Sequence, residues 1–136
     1  MIYITGDTHG DFRRIFDFCM RLETSVDDIM IILGDAGINF SGGFKDHAKK
    51  DYIAAMPITL FCIHRNHEQG PFTIPSYEET EWHGGIVYVE KEYPNILFAK
   101  DDYILKSPMR RIHKIKTKTV VKEVISDLWI LEKAFM

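Results

Sequence analysis

Residues 4–11 read ITGDTHGD. A short apolar run, Met1–Thr5, gives way to two carboxylates, one imidazole and two glycines within six positions. A turn after a strand needs only one or two such residues. The crowding marks a strand whose end carries chemistry. Downstream, Phe12, Ile15, Phe16, Cys19 and Leu22 recur at helical spacing, with Arg and Asp between them, so a helix is expected there. Asp11 is read as its N-cap rather than as a ligand. Taken alone, Asp7 and His9 could also do no more than close the turn and cap that helix.

The same arrangement returns twice. Ile29–Leu33 (IMIIL) is a continuous apolar run followed by Gly34 and Asp35. A glycine-rich loop, AGINFSGGF at residues 36–44, leads into an expected helix over Lys45–Ala55 that Pro57 stops. Asp46 and His47 are expected at an exposed end of that helix. Ile58–Ile63 (ITLFCI) is a third run, followed by His64, Arg65, Asn66, His67 and Glu68. The lack of alternation in these runs suits a parallel sheet covered on both faces. The order strand, helix, strand, helix, strand implies right-handed crossovers. The fold class is therefore α/β: a largely parallel β-sheet flanked by helices. All three polar clusters then leave at the carboxyl edge of one sheet, where open α/β sheets bind ligands. Asp7, His9, Asp35, Asn66 and His67 are expected to converge there.

Carboxylates, an imidazole and an amide oxygen are borderline-to-hard donors. They suit Mn, Zn, Fe or Ni better than a thiolate site would. A shared carboxylate can bridge two ions ~3.5–4 Å apart, which clamp phosphoryl oxygens and lower the pKa of a bound water. A neutral imidazole suits proton transfer near pH 7.

The ordered motifs GDTHGD, GDAG and RNHE resemble the calcineurin-like metallophosphoesterase superfamily, and the segment EWHGGIVYV looks like a bacterial branch of it. The likeness covers roughly residues 1–100. It implies the N-terminal part of that family's β-sandwich, with a shortened C-terminal part. It also implies a metal-dependent phosphoesterase, cleaving a phosphomonoester or phosphodiester with a metal-activated water. By resemblance, Asp7 and His9 hold one ion, Asp35 bridges and is catalytic, and Asn66 holds a second ion. His67 is catalytic, facing the phosphate as proton donor or charge stabiliser. Glu68 orients its neighbours.

Two departures stand out. Arg65 replaces the Gly usual before Asn-His-Glu, which strains a positive-φ position or offers a guanidinium to substrate phosphate. The family's late His ligands are not evident: after His67 only His83 and His113 remain, and no H-x-H occurs. One or two ions per chain and weak activity are expected. The alternative is a catalytically inactive, truncated binding or assembly module. A third possibility is that a second chain completes the site.

The rest of the chain bounds partners and place. Residues 1–105 carry 9 Lys and Arg against 17 Asp and Glu, whereas residues 106–136 carry 8 against 3. The net charge of −3 thus hides an acidic body and a basic segment, Lys106–Lys122, with seven basic residues and no acid. That segment is either a solvated face or a nucleic-acid contact surface. The apolar stretch after it, read as a helix from about Thr119, could make a homo-oligomer. Cys19 and Cys62 are read as buried reduced thiols. With no signal peptide and no apolar run near the ~20 residues that span a bilayer, a cytoplasmic single domain over 1–136 without membrane contact is expected. Residues 70–85 read as loop, Ile86–Val89 and Ile96–Ala99 as strands, with a hairpin near Asp101–Asp102. Tyr77, Trp82 and Tyr88 are read as packing residues.

Overall fold

The computed structural model describes residues 1–33, 35–63, 69–83 and 85–100, with the backbone of two further strands at 105–107 and 110–112. Its strands are β1 (Ile2–Thr5), β2 (Ile29–Ile32), β3 (Thr59–Cys62), β4 (Tyr77–Trp82), β5 (Gly85–Glu90), β6 (Tyr93–Ala99), β7 (Leu105–Ser107) and β8 (Arg110–Ile112). The helices are α1 (Arg13–Leu22) and α2 (Phe44–Ala54), with a 3₁₀ turn at Pro71–Thr73. The six-stranded sheet runs β1-β2-β3-β6-β5-β4. The first four of these are parallel neighbours, while β5 and β4 add antiparallel. The class is α/β, with a sheet that is parallel where the three apolar runs lie and mixed beyond them.

Sequence explains most of this placement. β2 and β3 are buried along almost their whole length, as continuous Ile, Leu, Phe and Cys require. Ile15, Phe18 and Cys19 of α1 and Ile53 of α2 join one cluster with Tyr3, Met30, Leu60, Cys62 and Phe98. Both helices therefore pack on the same face. Ile31, Phe61, Val87 and Leu97 form a smaller cluster on the other, where Trp82 stacks on Phe61 with centroids 5.3 Å apart. Cys19 and Cys62 are not disulfide-bonded and are fully buried.

Three expectations are corrected. Residues 77–82 are a strand, not a loop: β4 is an edge strand whose acidic residues, Glu78, Glu79 and Glu81, are exposed. Among the described residues it pairs only with β5. Asp11 does not occupy the N-cap of α1. Phe12 does, and Asp11 sits one residue earlier, accepting from the Arg13 backbone N–H at 3.1 Å and from its guanidinium. Asp46 is buried rather than exposed. Its carboxylate reaches back to the N–H groups of Ser41 and Gly42, in the turn just before α2. The hairpin near Asp101–Asp102 and the helix from Thr119 lie outside the described residues. β7 and β8 pair with each other, Lys106 opposite Arg111, so part of the basic segment is a hairpin.

A buried ion pair anchors α2 to the sheet. Lys50 Nζ lies 2.7 Å from Glu90 Oε2, and both side chains are under a tenth exposed. Glu90 sits at a register shift between β5 and β6, and its second oxygen accepts from the Ser76 hydroxyl. The rings of Tyr77 and Tyr93 flank the ammonium at 5.1 and 5.8 Å. One turn further on, at and just past the C-terminus of α2, the Asn95 amide donates to the carbonyls of Ala54, Met56 and Ile58. Removing one member of a buried pair leaves an uncompensated charge. Lys50→Met alone is expected to cost ~3–5 kcal/mol in urea denaturation, and Lys50→Met with Glu90→Leu to cost less than either single change.

Candidate metal centre

β1, β2 and β3 end in one row: Thr5 stands opposite Ile32, and Ile32 opposite Cys62. The pairing continues one step past the strands, with Leu33 N–H donating to the Thr5 carbonyl at 2.9 Å and Ile63 N–H to that of Ile32 at 3.4 Å. The loop leaving β1 is thus carried directly beside the loop leaving β2.

The two loops then interlock. The Asp35 carbonyl accepts from the N–H groups of both Thr8 and His9 at 2.9 Å, and Gly10 N–H donates to the Ala36 carbonyl at 2.8 Å. The Thr8 hydroxyl donates to Ala36 O at 2.7 Å. In return, Asp35 N–H donates to Asp7 Oδ1 at 2.9 Å. Gly37 closes the lock. Its φ is +77°, and a Cβ there would lie 2.1 Å from the Gly10 nitrogen, so only glycine fits. Lys49, reaching from α2, donates to the Gly37 carbonyl at 2.7 Å.

This backbone brings three of the five expected residues together. His9 Nε2 is 3.4 Å from Asp7 Oδ2, and His9 Nδ1 is 3.9 Å from Asp35 Oδ2. The imidazole lies between the two carboxylates, with a different nitrogen toward each. His9 itself adopts a left-handed backbone, φ 49°, a conformation that favours glycine or Asn. The Asp35 side chain is 16% exposed, against 67% for His9. Its Oδ1 is buried and has no hydrogen-bond donor among the described residues. A buried acceptor left so costs about 1–3 kcal/mol.

That orphaned oxygen is the test of fit for a cation. Two carboxylates and an imidazole match a divalent ion in donor type, and among the described residues Asp35 Oδ1 has no positive partner of the kind that burial calls for. The described residues do not form a closed site: no group of three or more His, Cys, Asp or Glu among them is arranged to hold an ion. An ion takes one imidazole nitrogen, and here the two nitrogens face different carboxylates.

Arg65, Asn66 and His67, with His64 and Glu68, lie outside the described residues. The next residue in the chain, Gln69, donates its N–H to the Asn39 carbonyl at 3.1 Å. His83 occupies the β4–β5 turn, exposed, with φ 47°. Since β5 runs antiparallel to β6 and β6 parallel to β3, that turn lies on the same sheet edge as Asp7 and Asp35. Sequence reading missed Lys49 and Asn39 at this edge. Asn39 and its glycine-rich surroundings offered the one usable signal, since Asn is among the few non-glycine residues that accept positive φ; its φ is 62°.

Compared with known protein families, residues 1–134 match the model described as calcineurin-like phosphoesterase. The match extends past residue 100, where the motif likeness stopped, and through the basic segment. No curated protein and no solved structure matches the chain.

The interlock and the first turn of α1 can each be tested. Gly37→Ala is expected to lose at least ~1–2 kcal/mol in urea denaturation from its left-handed backbone alone, with the contact on Gly10 adding to it. Hydrogen bonds from the Arg13 side chain and backbone hold the Asp11 carboxyl well below the usual carboxylate range, at about 2. A depressed folded-state pKa gives stability above the unfolded value that is lost as pH falls through the folded one. A carboxyl-detected NMR titration should place the Asp11 midpoint near that value and raise it part of the way toward the ordinary range in Arg13→Ala, which keeps the backbone N–H.

Proposed function

This chain belongs to the calcineurin-like phosphoesterase family, and from that premise we propose that it hydrolyses a phosphomonoester or phosphodiester using one or two divalent ions at the carboxyl edge of its sheet. The observation that carries this reading is Asp35, whose buried Oδ1 lacks a donor among the described residues while Asp7 and His9 stand beside it. Asp7, His9, Asp35 and Asn66 would hold the ions, with Asp35 shared between two positions. Mn, Zn, Fe or Ni would supply Lewis acidity, offsetting phosphoryl charge and making an attacking water more acidic.

The chain's own residues do the rest. Asp35 rides on a backbone clamped at both its N–H and its carbonyl, so its carboxylate is held without much reorganisation. The same N–H fixes Asp7 through Oδ1 and leaves Oδ2 toward His9. His67 would give a proton to the departing oxygen, the role that suits an imidazole near neutral pH. Arg65 would meet a substrate phosphate oxygen with its guanidinium.

Surroundings and partners are part of the same proposal. Lys106–Lys122 carries enough positive charge to track a nucleic-acid backbone, and the apolar stretch after it is a candidate self-association surface. Two buried cysteines outside any disulfide support a reducing, cytoplasmic setting. No described helix is long and apolar enough to cross a membrane. Residues 1–136 are taken as one domain.

The test is turnover of nitrophenyl phosphate mono- and diesters by Mn²⁺-loaded protein. Asp35→Asn and His67→Ala are each expected to lower the rate by ~10²–10⁴-fold. Absence of turnover with every divalent ion tried, or equal rates in Asp35→Asn, would overturn catalysis and leave an inactive binding module.

A further inference from the structure

We propose that the outer face of α1 and α2 is a docking surface for an acidic amphipathic helix of a partner protein. The inference stands apart from any chemistry at the sheet edge. Helix α2 carries its polarity inside out. Its buried residues are Asp46, Lys50 and Ile53, whereas Phe44, Ala48 and Tyr52, four apart on one stripe, are exposed. A helix that covers a sheet ordinarily turns its apolar stripe inward and its charges outward. Here the buried charges are engaged within the fold, Lys50 by Glu90 and Asp46 by the N–H groups of Ser41 and Gly42. The apolar stripe is what α2 offers to the outside.

Helix α1 extends the same surface. Phe16 and Met20 lie one turn apart on its exposed side, and the Phe16 ring meets that of Tyr52 with centroids 6.2 Å apart. Phe44 is 86% exposed and Met20 51%. The two stripes thus join at Phe16 and Tyr52 into one apolar surface that spans both helices. Single exposed apolar residues are ordinary, but a contiguous patch rimmed by charge marks a place where another molecule sits.

The rim selects the partner. Exposed on the two helices are Arg13, Arg14, Arg21 and Lys45 against Asp17 and Asp51. Asp51 already accepts from the Tyr93 hydroxyl at 2.9 Å, while Arg14, Arg21 and Lys45 form no ion pair among the described residues. This cationic face belongs to a body, residues 1–105, with 9 Lys and Arg against 17 Asp and Glu. A second copy placed face to face would set like charges together. A partner whose apolar stripe is flanked by carboxylates pairs with them instead. Stripes with a four-residue repeat suit a helix laid along them, its own side chains seated between theirs.

Two fluorescein-labelled amphipathic helical peptides serve as probes, one with a leucine stripe flanked by glutamates, the other with the same stripe flanked by lysines. Fluorescence anisotropy is expected to show the glutamate peptide binding ~10-fold tighter than the lysine peptide at low salt, with the gap closing as salt is added. Phe16→Ser with Tyr52→Ser is expected to weaken the glutamate peptide by ~10-fold or more. Arg14→Glu with Arg21→Glu should abolish the preference, and Ile86→Ser, an exposed apolar residue on β5, should match the parent. All these positions are exposed, and unchanged urea midpoints certify that the variants fold. Failure to bind either peptide, or equal affinity for both, would overturn the proposal. So would a dimer in sedimentation that Phe16→Ser dissolves, which assigns the face to a second copy. Binding to phosphatidylserine vesicles without any peptide preference assigns it to a membrane surface and overturns it equally.

Discussion

The structure depends on one backbone interlock. Asp35 receives two N–H groups from the loop after β1 and returns its own N–H to the Asp7 carboxylate. This exchange is possible only because β1 and β2 are parallel neighbours ending in the same row, and because Gly37 leaves the Gly10 nitrogen room to approach. The strands are short, four residues each, so the register past their ends is set as much by these loop bonds as by the ladder. The centre and the sheet edge are in that sense one construction.

That construction concentrates negative charge. Two carboxylates face one imidazole, and the more buried of them keeps an oxygen without a donor among the described residues. A fold that needed Asp35 only to close a turn would gain nothing from hiding that oxygen, because water would satisfy it at the surface. The family to which the chain belongs acts on phosphate esters.

The parts legible in the sequence were those with a local signature. Three unbroken apolar runs became three parallel strands, and the clusters after the first two meet because parallel strands leave at one edge. Helix α1 followed from its 3.6-residue period. The features that were not legible depended on distant partners. Tyr77–Trp82 looked like a loop because an edge strand with acidic side chains shows neither an apolar run nor alternation. Asp46 looked like a surface residue because its partners are backbone N–H groups exposed by the glycine turn before α2. The Lys50–Glu90 pair joins positions 40 apart in the chain, and a hydrogen bond from the Asn39 amide to the Tyr77 hydroxyl joins positions 38 apart. No periodicity announces either. Position 11 shows the limit of capping rules: the carboxylate serves the first turn from one residue outside it.

Strand β4 has a consequence of its own. It closes one side of the sheet among the described residues, and its glutamates are exposed. Lys91 and Lys100 neutralise Glu78 and Glu79 through contacts at 3.3 and 2.6 Å, while Glu81 adds an exposed carboxylate further along. Two copies meeting along this border would crowd these charged side chains against one another, which opposes the edge-to-edge stacking that an open sheet invites. The residues that hid the strand from sequence reading are thus the ones that guard it against aggregation.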